Sequence, residues 1–416
     1  MQPYAWGSHT VIAEFQGRPA PTAQPEAELW MGAHPSAPSG VERGGGHTTL
    51  DAVIAADPAG ELGAPCAERF GGRLPFLLKV LAAEQALSIQ VHPSREQAEA
   101  GYRAENERGL APGDKARNYV DDWPKPEILC ALSPFEVLAG MRPAADAAAL
   151  LRALEVPELE PVAHSLAAAG WAAPAAVRGA GGAAPAAVGG AGGAAPAALT
   201  EALAAILTWP AATSAALVAA VTAACGRLAA QGGPYAAACA ATARVAAEHP
   251  GDLGVVAALL LRHRVLQPGQ AVFMPAGGLH AYLHGTGIEL LANSDNVVRA
   301  GLTGKHVDVP ELLKLTDPTV DVPVIAPRAL GDGVAVYDSP APEFRLFRAE
   351  LGPTEIPLPG DGARLVLCTE GTVTLRAAET ALKAGRGESC FVSAADGLVT
   401  ASGPAVIYFA ACGLNE

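Results

Sequence analysis

Residues 280–305 read HAYLHGTGIELLANSDNVVRAGLTGK. Most of this stretch alternates between apolar and polar side chains, which predicts a half-buried β-strand. Its charged residues stand among Gly, Ala and Leu, a setting typical of a pocket wall rather than of a solvated surface. His280 has the chemistry of a metal ligand, while Arg299 and Lys305 have the chemistry to hold an anion or a developing oxyanion. The stretch therefore predicts a β fold with a polar site on one strand.

Strand-length apolar runs recur on both sides of this stretch. Residues 74–83 and 86–93 form two such runs, and residues 126–141 are predicted to form two strands joined at Ser133-Pro134. From about Asp321 to the end, short β-like runs are separated by turn residues, as in a β-sandwich or jelly roll. These runs cover residues 334–338, 344–351, 364–369, 372–377, 388–393 and 405–411.

The intervening region is rich in alanine and is predicted to be helical. An 11-residue repeat inside it, AAPAAVRGAGG (172–182) followed by AAPAAVGGAGG (183–193), has too much Pro and Gly to hold a helix or to bury a core. We predict a flexible surface insertion over residues 171–199. The helical patterns cover residues 145–155, 200–208, 212–230, 235–248 and 252–264.

Together, these patterns predict a mainly β protein with an α-helical insertion. We expect a first β domain made of residues 1–143 and 267–320. An Ala-rich helical domain, residues 144–266, is inserted into it. Residues 321–416 are expected to form a second, C-terminal jelly-roll domain.

The composition of the chain limits the classes of partner and the cellular locations that we expect for it. Its 416 residues carry a formal net charge of −14, and an acidic surface argues against nucleic-acid binding, which needs a basic footprint. No stretch offers the roughly 20 uninterrupted apolar residues of a membrane span, and the first ten residues lack the features of a secretory signal. The seven cysteines are scattered without a CxxC pair, so we expect reduced thiols in a cytoplasmic protein. We also expect a monomer.

A candidate metal site can be assembled from four polar residues. Gln90 and His92 are two residues apart in a predicted strand, so both side chains point to the same face. Glu127 opens the next strand pair, and His280 begins the stretch quoted above. Two imidazoles, a carboxylate and an amide oxygen suit Zn²⁺ with an open position, although other divalent ions fit such a set as well. The alternative is structural: a buried turn histidine at His92 and an ion pair at Glu127.

Residues 280–305 also resemble the second signature of the type I mannose-6-phosphate isomerases, H-A-Y-x-x-G-x-x-x-E-x-M-A-x-S-D-N-x-x-R-A-G-x-T-P-K. The chain departs from it at Leu291, where the family usually has Met, and at Gly304, where it usually has Pro. Residues 118–127, NYVDDWPKPE, resemble the first signature, Y-x-D-x-N-H-K-P-E, with Trp123-Pro124 in place of Asn-His. A proton-transfer role for that histidine is therefore excluded in this chain.

This resemblance extends over most of the chain and implies a fold, a cofactor and an activity. It implies two cupin-like jelly-roll domains, one Zn²⁺ per chain and the interconversion of mannose 6-phosphate and fructose 6-phosphate. Further matching segments are QPYAWGS (2–8), ELWMGAHPSAPS (28–39) and LPFLLKVLAAEQALSIQVHP (74–93). The metal ligands that the resemblance implies are Gln90, His92, Glu127 and His280, and Trp6, Glu28, Lys79 and Ser88 fall at family active-site positions.

Isomerisation of an aldose to a ketose removes a proton from C2, returns one to C1 and moves a proton between O1 and O2. Zn²⁺ would polarise the substrate oxygens and stabilise an enediolate, and Arg299 would add positive charge there. Glu289, a carboxylate among apolar neighbours, is the first candidate for the catalytic base, Lys125 is the second and Lys79 the third. In the competing interpretation, Glu289 is a structural partner of Arg299 or Lys305.

A sugar phosphate also needs groups that hold its phosphate and its ring. Asp295 is expected to orient Arg299 or a sugar hydroxyl, and Trp6 and Tyr282 to line the sugar face, although such aromatics more often belong to a core. His284 is expected to be structural or on the surface. Candidates to hold the phosphate are Lys79, Ser88, Lys125, Arg299 and Lys305.

Three other functions remain open from the sequence. His92, His280 and Glu127 match the two histidines and one carboxylate of an iron-dependent cupin oxygenase. A sugar-phosphate-binding regulator on a degenerate cupin scaffold would use the same cleft without catalysis. An isomerase of a different sugar phosphate is the third. The intact set of metal ligands together with Arg299 favours mannose 6-phosphate isomerisation.

Overall fold

The computed structural model describes residues 1–170 and 193–414. The predicted mainly β architecture with a helical insertion is confirmed: two β units flank a helical bundle. Strands of the first unit come from both sides of the bundle in sequence. They are β1 Glu28–Met31, β2 Gly40–Arg43, β3 Gly46–Thr49, β4 Phe76–Ala83, β5 Ile89–Val91, β6 Glu127–Ala131, β7 Phe135–Met141, β8 Leu261–Leu266, β9 Ala271–Met274, β10 His280–Ala292, β11 Val298–Gly301 and β12 Val324–Ile325.

Strand β10 joins the two sheets of this unit. The first residues of β10 pair with β7, and His280 also pairs with Gln90 of β5. The second half of β10, from Gly285 to Ala292, pairs with β4 on one side, and residues 287–291 pair with β6 on the other. The backbone changes direction at Gly285, where φ is 131°. A Cβ atom there would lie 2.8 Å from both the Phe135 side chain and the Pro134 carbonyl oxygen, so only glycine fits. Between the sheets pack Leu81, Leu129, Val137, Leu266, Val272, Met274 and Tyr282.

The return from the helices to the sheet comes earlier than predicted. The helical pattern at residues 252–264 is wrong at its end, because α-helix covers only Gly254–Ala257 and strand β8 begins at Leu261. Strand β8 pairs with β7, placing Leu266 opposite Phe135. A short apolar run followed by alternating residues does not distinguish a buried helix from a strand, and pairing with β7 decides in favour of the strand.

The helical insertion packs on the outer face of the sheet that contains β5, β7 and β11, through a shared apolar core. Residues 171–192 of the predicted flexible segment lie outside the described residues. Its last part, residues 194–199, is helical, since Pro196 falls in the first turn where proline is tolerated. The helices are α1 Val11–Phe15, α2 Leu50–Ala56, α3 Pro58–Leu62, α4 Ala64–Arg69, α5 Arg95–Glu107, α6 Ala144–Ala153, α7 Glu160–Gly170, α8 Ala194–Leu207, α9 Ala211–Gln231, α10 Ala236–Glu248, α11 Gly254–Ala257 and α12 Val309–Leu315.

Helix α9 is, within the described ranges, the one helix long and apolar enough to cross a membrane by length and composition. Alanine, Leu and Val make up most of this helix, and Thr, Ser and Arg side chains interrupt the apolar run. One face of α9 is buried in the helical bundle, where the helix packs against α10. The apolar residues of α9 are therefore explained by its packing in the helical bundle. The buried residues are Leu217, Val218, Val221, Ala224 and Cys225.

The second β unit repeats the arrangement of one long strand shared by two sheets. We predicted separate strands at residues 364–369 and 372–377, but they form one continuous strand with a bulge between Cys368 and Glu370. The positions of the domain boundaries stay a prediction. The strands of this unit are β13 Arg328–Gly331, β14 Val334–Tyr337, β15 Arg345–Leu351, β16 Ile356–Pro357, β17 Arg364–Ala377, β18 Thr380–Gly385, β19 Ser389–Val392, β20 Val399–Ser402 and β21 Ala405–Ala411.

Two helix glycines give a matched test of packing. A Cβ atom at Gly101 of α5 would lie 2.3 Å from the ring of Tyr119, whose hydroxyl is held by Glu311, whereas open space surrounds Gly226 of α9. We expect Gly101→Ala to lower the free energy of unfolding by about 1–3 kcal/mol through overpacking. Gly226→Ala should raise it by about 0.5–1 kcal/mol through helix propensity. Denaturant unfolding of both variants checks this, and shifts of the same sign would contradict it.

Candidate active site

Three side chains from three strands of the first β unit converge at one buried point. His92 follows β5, Glu127 opens β6 and His280 opens β10. The Nε2 atom of His280 lies 2.9 Å from Oε1 of Glu127, and Nε2 of His92 lies 3.3 Å from Oε2. One ligand atom from each residue lies within 4.8 Å of the other two, and all three residues are buried. This spacing suits a single metal ion.

Hydrogen bonds of the two imidazoles fix which nitrogen faces this point. Nδ1 of His92 lies 2.7 Å from the carbonyl oxygen of Asn296, and Nδ1 of His280 lies 2.9 Å from that of Gly278. Because a carbonyl oxygen only accepts, each Nδ1 carries the proton and each Nε2 directs its lone pair at Glu127. Nitrogen lone pairs facing carboxylate oxygens repel unless a cation lies between them. The donor set therefore fits a divalent metal ion.

Burial favours the metal-binding form of the histidine. Burial lowers the pKa of His92 to about 4, and the positive charge of Lys125 acts in the same direction. Burial alone would raise the pKa of Glu127, but positive charge and hydrogen-bond donation at His280 and His92 outweigh it and hold that pKa well below its ordinary value. When the two imidazoles are neutral, a divalent cation between them and the carboxylate would act in the same direction. A neutral His92 and an ionised Glu127 are the protonation states that bind a metal.

Gln90, the fourth predicted ligand, lies beside the same point. Its amide nitrogen is 3.5 Å from Nε2 of His92 and 3.4 Å from Nε2 of His280. A metal ion binds the amide oxygen, which a 180° rotation of the amide group would place there. The structure thus brings Gln90 to the site, and ligation through its oxygen stays a prediction.

Tyr282 has a different place from the one predicted. It was expected to line the sugar face, but its side chain is fully buried and does not line the cleft. Its hydroxyl donates a 2.8 Å hydrogen bond to Oε1 of Glu127. The sugar-face prediction is therefore wrong, and Tyr282 instead orients the carboxylate.

An open cleft of about 640 Å³ adjoins the three buried residues. Its walls come from the N-terminal segment, strands β1, β4, β5, β6, β10 and β11, the loop between β4 and β5, the loops before β6, between β10 and β11 and after β11, and the helical insertion. The sequence-predicted residues that line it are Trp6, Glu28, Lys79, Ser88, Gln90, Lys125, Glu127, Glu289, Asp295, Arg299 and Lys305.

One wall of the cleft contains a buried charge cluster. Nζ of Lys79 lies 2.9 Å from Oε2 of Glu289 and 3.4 Å from Oε2 of Glu28, and the indole of Trp30 donates a 2.6 Å hydrogen bond to Glu28. Burial would lower the pKa of Lys79, but the two carboxylates outweigh it and raise that pKa, so the ammonium stays charged. Burial raises the pKa of Glu289. Glu289 is thus paired with Lys79, and not with Arg299 or Lys305 as the competing structural interpretation supposed.

Lys79 also does not provide the free cation that a phosphate would need, because its charge is shared between two carboxylates. The other cations of the cleft differ. Among the described residues, no carboxylate lies within 4.0 Å of the charged nitrogens of Lys125, Arg299 or Lys305. Burial lowers the pKa of Arg299, and burial together with the Arg299 charge lowers that of Lys305. These partly desolvated charges would be stabilised by an anion in the cleft.

Asp295 does not orient Arg299 as predicted. Its Oδ2 atom lies 3.4 Å from Nε2 of the buried His34, and its side chain is about half exposed at the cleft. His284, expected to be structural or on the surface, is exposed. Aromatic groups cover the outer side of the cleft, where Tyr4 stacks on Trp6 with ring centroids 5.6 Å apart.

Sequence reasoning missed a buried amide behind the histidines. Asn296 is fully buried, and its Nδ2 donates 2.8 Å hydrogen bonds to the carbonyl oxygens of Asp121 and Trp123, while its Oδ1 accepts from the backbone N–H of Val120 at 2.7 Å. Since the Asn296 carbonyl also accepts from His92, this residue connects the 120–123 loop to the metal site.

Several other residues at or near the site were not predicted from the sequence. They differ in whether the sequence contains a feature that could have identified them. Tyr4 and Trp30 line the cleft, and the buried His34 contacts Asp295. All three fall inside the segments that carried the family resemblance, so a residue-by-residue comparison would have found them. His249 comes from the helical insertion and has no local motif. Trp123 is buried against Phe70, with its indole 4.3 Å from the Arg73 guanidinium, and it does not line the cleft.

Fold and site together define a cupin-type metalloprotein with a cleft suited to an anionic ligand. Residues 1–144 match the family described as phosphomannose isomerase type I, catalytic domain. Mannose-6-phosphate isomerase from Salmonella typhimurium is 37% identical over 97% of this chain and 95% of its own length. The Bos taurus mannose-6-phosphate isomerase is 31% identical over 95% and 92%. This chain therefore belongs to the type I mannose-6-phosphate isomerase family, as the signatures predicted.

Solved structures agree with this membership. A single-site mutant of phosphomannose isomerase from Salmonella typhimurium superposes with a TM-score of 0.86 at 33% identity, covering 99% of this chain and 97% of that protein. A zinc-bound holo form of mannose 6-phosphate isomerase superposes with a TM-score of 0.85 at 33% identity, with the same coverage. The likeness therefore extends over both β units and the helical insertion.

The metal site is tested by two histidines of the same strand. We expect His280→Ala to lose bound zinc, because it removes one of two imidazole ligands. His284→Ala, four residues further along β10 and exposed, should keep zinc. Metal content of both purified variants, measured by atomic absorption after dialysis against zinc, checks this. Full zinc occupancy in His280→Ala would contradict the assignment.

Proposed function

We propose that this chain is a zinc-dependent aldose–ketose isomerase that interconverts mannose 6-phosphate and fructose 6-phosphate. The observation that carries the proposal is the meeting of two features in one cleft of about 640 Å³. A buried His-Glu-His set presents three metal-binding atoms, and the walls contain cations that have no carboxylate within 4.0 Å in the described part of the chain. The Salmonella typhimurium and Bos taurus relatives carry the name of this activity.

His92, Glu127 and His280 would hold one Zn²⁺, with the Gln90 oxygen as a fourth ligand. Bound Zn²⁺ supplies Lewis acidity that polarises a carbonyl and makes the adjacent C–H more acidic. Tyr282 and the carbonyls of Asn296 and Gly278 keep the three ligands in place. Removing a group that hydrogen-bonds a metal ligand in this way typically lowers metal affinity by about one to two powers of ten.

The charged groups of the cleft divide into two roles in this proposal. Lys305 and Lys125 would hold the phosphate, because they line the cleft and no carboxylate of the described residues lies within 4.0 Å of their charged nitrogens. Ser88, whose hydroxyl donates a 3.4 Å hydrogen bond to Oε1 of Gln90, would turn to donate to the phosphate instead. Arg299 would stabilise negative charge that develops on the sugar oxygens. Trp6 would pack against the sugar ring. Asp295, held near His34, would accept from a sugar hydroxyl.

Glu289 is proposed as the base that takes the proton from C2 and returns it to C1. Burial raises the pKa of this carboxylate, which increases its proton affinity, and the charged Lys79 at 2.9 Å keeps it ionised and oriented. Lys125 is the competing base. Pro124 stands where the family usually has histidine, so this chain must use another group for any step assigned to that histidine.

The alternatives use the same residues. Two histidines and a carboxylate would also bind iron in an oxygenase, and a regulator would bind the sugar phosphate without turnover. The full-length relatives named as mannose-6-phosphate isomerases favour catalysis and isomerisation over both. A cytoplasmic location, a monomeric state and selectivity for this one sugar phosphate stay predictions.

A coupled assay of the purified protein with mannose 6-phosphate tests the proposal. It is run on the protein as isolated, after chelation, and after Zn²⁺ is added back. We expect turnover that is lost on chelation, returns with Zn²⁺ and does not require oxygen. Absence of turnover in protein with stoichiometric zinc would favour a regulator or a different sugar phosphate, and dependence on oxygen would favour an oxygenase.

Arg299→Ala should keep zinc but lower kcat by roughly two to three powers of ten, because one donor to the developing oxyanion is lost. Arg262→Ala is the matched control, since Arg262 is partly exposed and paired with Asp321 away from the cleft. Steady-state kinetics and zinc content of both variants check this. An Arg299→Ala enzyme with normal kcat would remove this residue from the mechanism.

Glu289 should set the acidic limb of the pH profile. Below its raised pKa the carboxyl is protonated and cannot accept the C2 proton, so kcat/KM should fall as the pH falls through that pKa. Glu289→Gln should keep zinc and lower kcat by about two to four powers of ten. Glu136→Gln is the control, because Glu136 is a largely covered carboxylate paired with Arg244 outside the cleft. If Glu289→Gln stays active while Lys125→Met does not, Lys125 is the base.

A further inference from the structure

The helical insertion contributes directly to the wall of the cleft. After α10 ends, His249 lines the cleft, and the chain turns through Asp252 into α11. There Gly254 packs backbone to backbone against the end of β11. A Cβ atom on Gly301 would lie 2.7 Å from Cα of Gly254, and one on Gly254 would lie 2.7 Å from the backbone nitrogen of Leu302. Any side chain at either glycine would force the two segments apart.

Directly after this contact the backbone takes an unusual conformation. Leu302 is buried and has φ of 56°, a left-handed conformation that a branched residue adopts only where the surroundings enforce it. The turn at Leu302 directs the next three residues, Thr303 to Lys305, along the cleft. Lys305, one of the cations assigned to the phosphate, thus owes its position to this turn.

Asp252 holds the two segments together with one carboxylate. Its Oδ1 accepts a 2.7 Å hydrogen bond from the backbone N–H of Gly254, and its Oδ2 accepts one of 3.1 Å from the backbone N–H of Thr303. Hydrogen bonds to an ionised carboxylate are stronger than neutral ones. Asp252 itself does not line the cleft. It therefore acts on the cleft through Thr303.

The rest of the Thr303–Lys305 segment has few other restraints. The backbone N–H of Lys305 bonds to Oγ1 of Thr303, inside the segment. Open space surrounds the Cβ position of Gly304, and its N–H has no acceptor among residues 1–170 and 193–414. A glycine in this place leaves the backbone freer than another residue would. The position of the segment then depends on the hydrogen bond from Thr303 to Asp252.

We propose that Asp252 is a positioning residue for the phosphate of the substrate, acting from the helical insertion through the Thr303–Lys305 segment. This rests on the proposed function, because it assumes that the cations of this wall hold a phosphate. It gives the insertion a part in substrate affinity. Binding of the phosphate, rather than the proton transfer at C2, is the step that should depend on Asp252.

The test compares Asp252→Asn and Asp252→Ala with the unsubstituted zinc-loaded protein. Titration calorimetry with inorganic phosphate measures the subsite directly, and steady-state kinetics with mannose 6-phosphate measures the consequence. We expect the Kd for phosphate and the KM to rise together by about tenfold in Asp252→Ala, as a charge-assisted hydrogen bond is lost. The effect should be smaller in Asp252→Asn, whose amide oxygen can still accept one N–H. The kcat and the zinc content should stay within about threefold of the unsubstituted values.

Asp57→Ala is the matched control, because Asp57 accepts a 3.0 Å hydrogen bond from the N–H of Gly60 at an exposed helix start. It should leave Kd, KM and kcat unchanged. Unchanged Kd and KM in folded Asp252 variants, or a loss of kcat alone, would overturn the proposal. Calorimetry needs no turnover, so a protein that binds phosphate but does not isomerise would refute the proposed function and leave this test intact.

A second measurement needs no variant. Amide hydrogen exchange at Thr303 in the unsubstituted protein should be slow, because its N–H is bonded to Asp252, and saturating inorganic phosphate should slow it further. Exchange at the rate of an unprotected amide, with or without phosphate, would overturn the proposed role even if the substituted proteins fail to fold.

Discussion

One strand constrains the whole active site. Because β10 belongs to both sheets of the first β unit, its first half holds His280 beside Gln90 and its second half holds Glu289 beside Lys79. Gly285, the bend between the halves, fits only without a side chain. The metal site and the buried ion pair therefore keep a fixed separation that neither sheet alone would impose. A substrate that contacts both the metal ion and the base Glu289 needs these two groups to stay at a fixed distance from each other.

Charge balance explains why the buried groups occur together. Glu28, Glu127 and Glu289 bring three carboxylates into a buried region where an unpaired charge is costly. The ammonium of Lys79 offsets one of them, and a divalent ion bound to the His-Glu-His set would offset the other two. Lys125, Arg299 and Lys305, which have no carboxylate within 4.0 Å among the described residues, are then left for a substrate anion. On an acidic chain, this local separation of charge is what admits a phosphorylated ligand.

The sequence predicted what depends on local pattern or on a long motif. The same-face placement of Gln90 and His92, the strand that begins at His280 and the three metal-binding residues could be predicted from spacing and resemblance. Partners that come from distant strands could not. Lys79 and Glu289 are paired because β4 and β10 are neighbouring strands in this register. The hydroxyl of Tyr282 reaches Glu127 because of the way β10 and β6 are packed, which the residues around Tyr282 do not indicate. The start of β8 and the continuity of β17 were missed because the local periodicity is ambiguous there. Pairing with β7 and with β21 determines the secondary structure of these segments instead.

The shared strand also has a consequence for the order of folding. His280 pairs with Gln90 across 190 positions of chain, with the whole helical insertion between them. During synthesis from the N-terminus, His92 and Glu127 emerge long before their partner, so the metal site cannot close until β10 has been made. Contacts of such long range slow folding, because the intervening chain must be ordered first. A metal ion that ties the three segments would then act as a late clamp, and the melting temperature should follow zinc concentration.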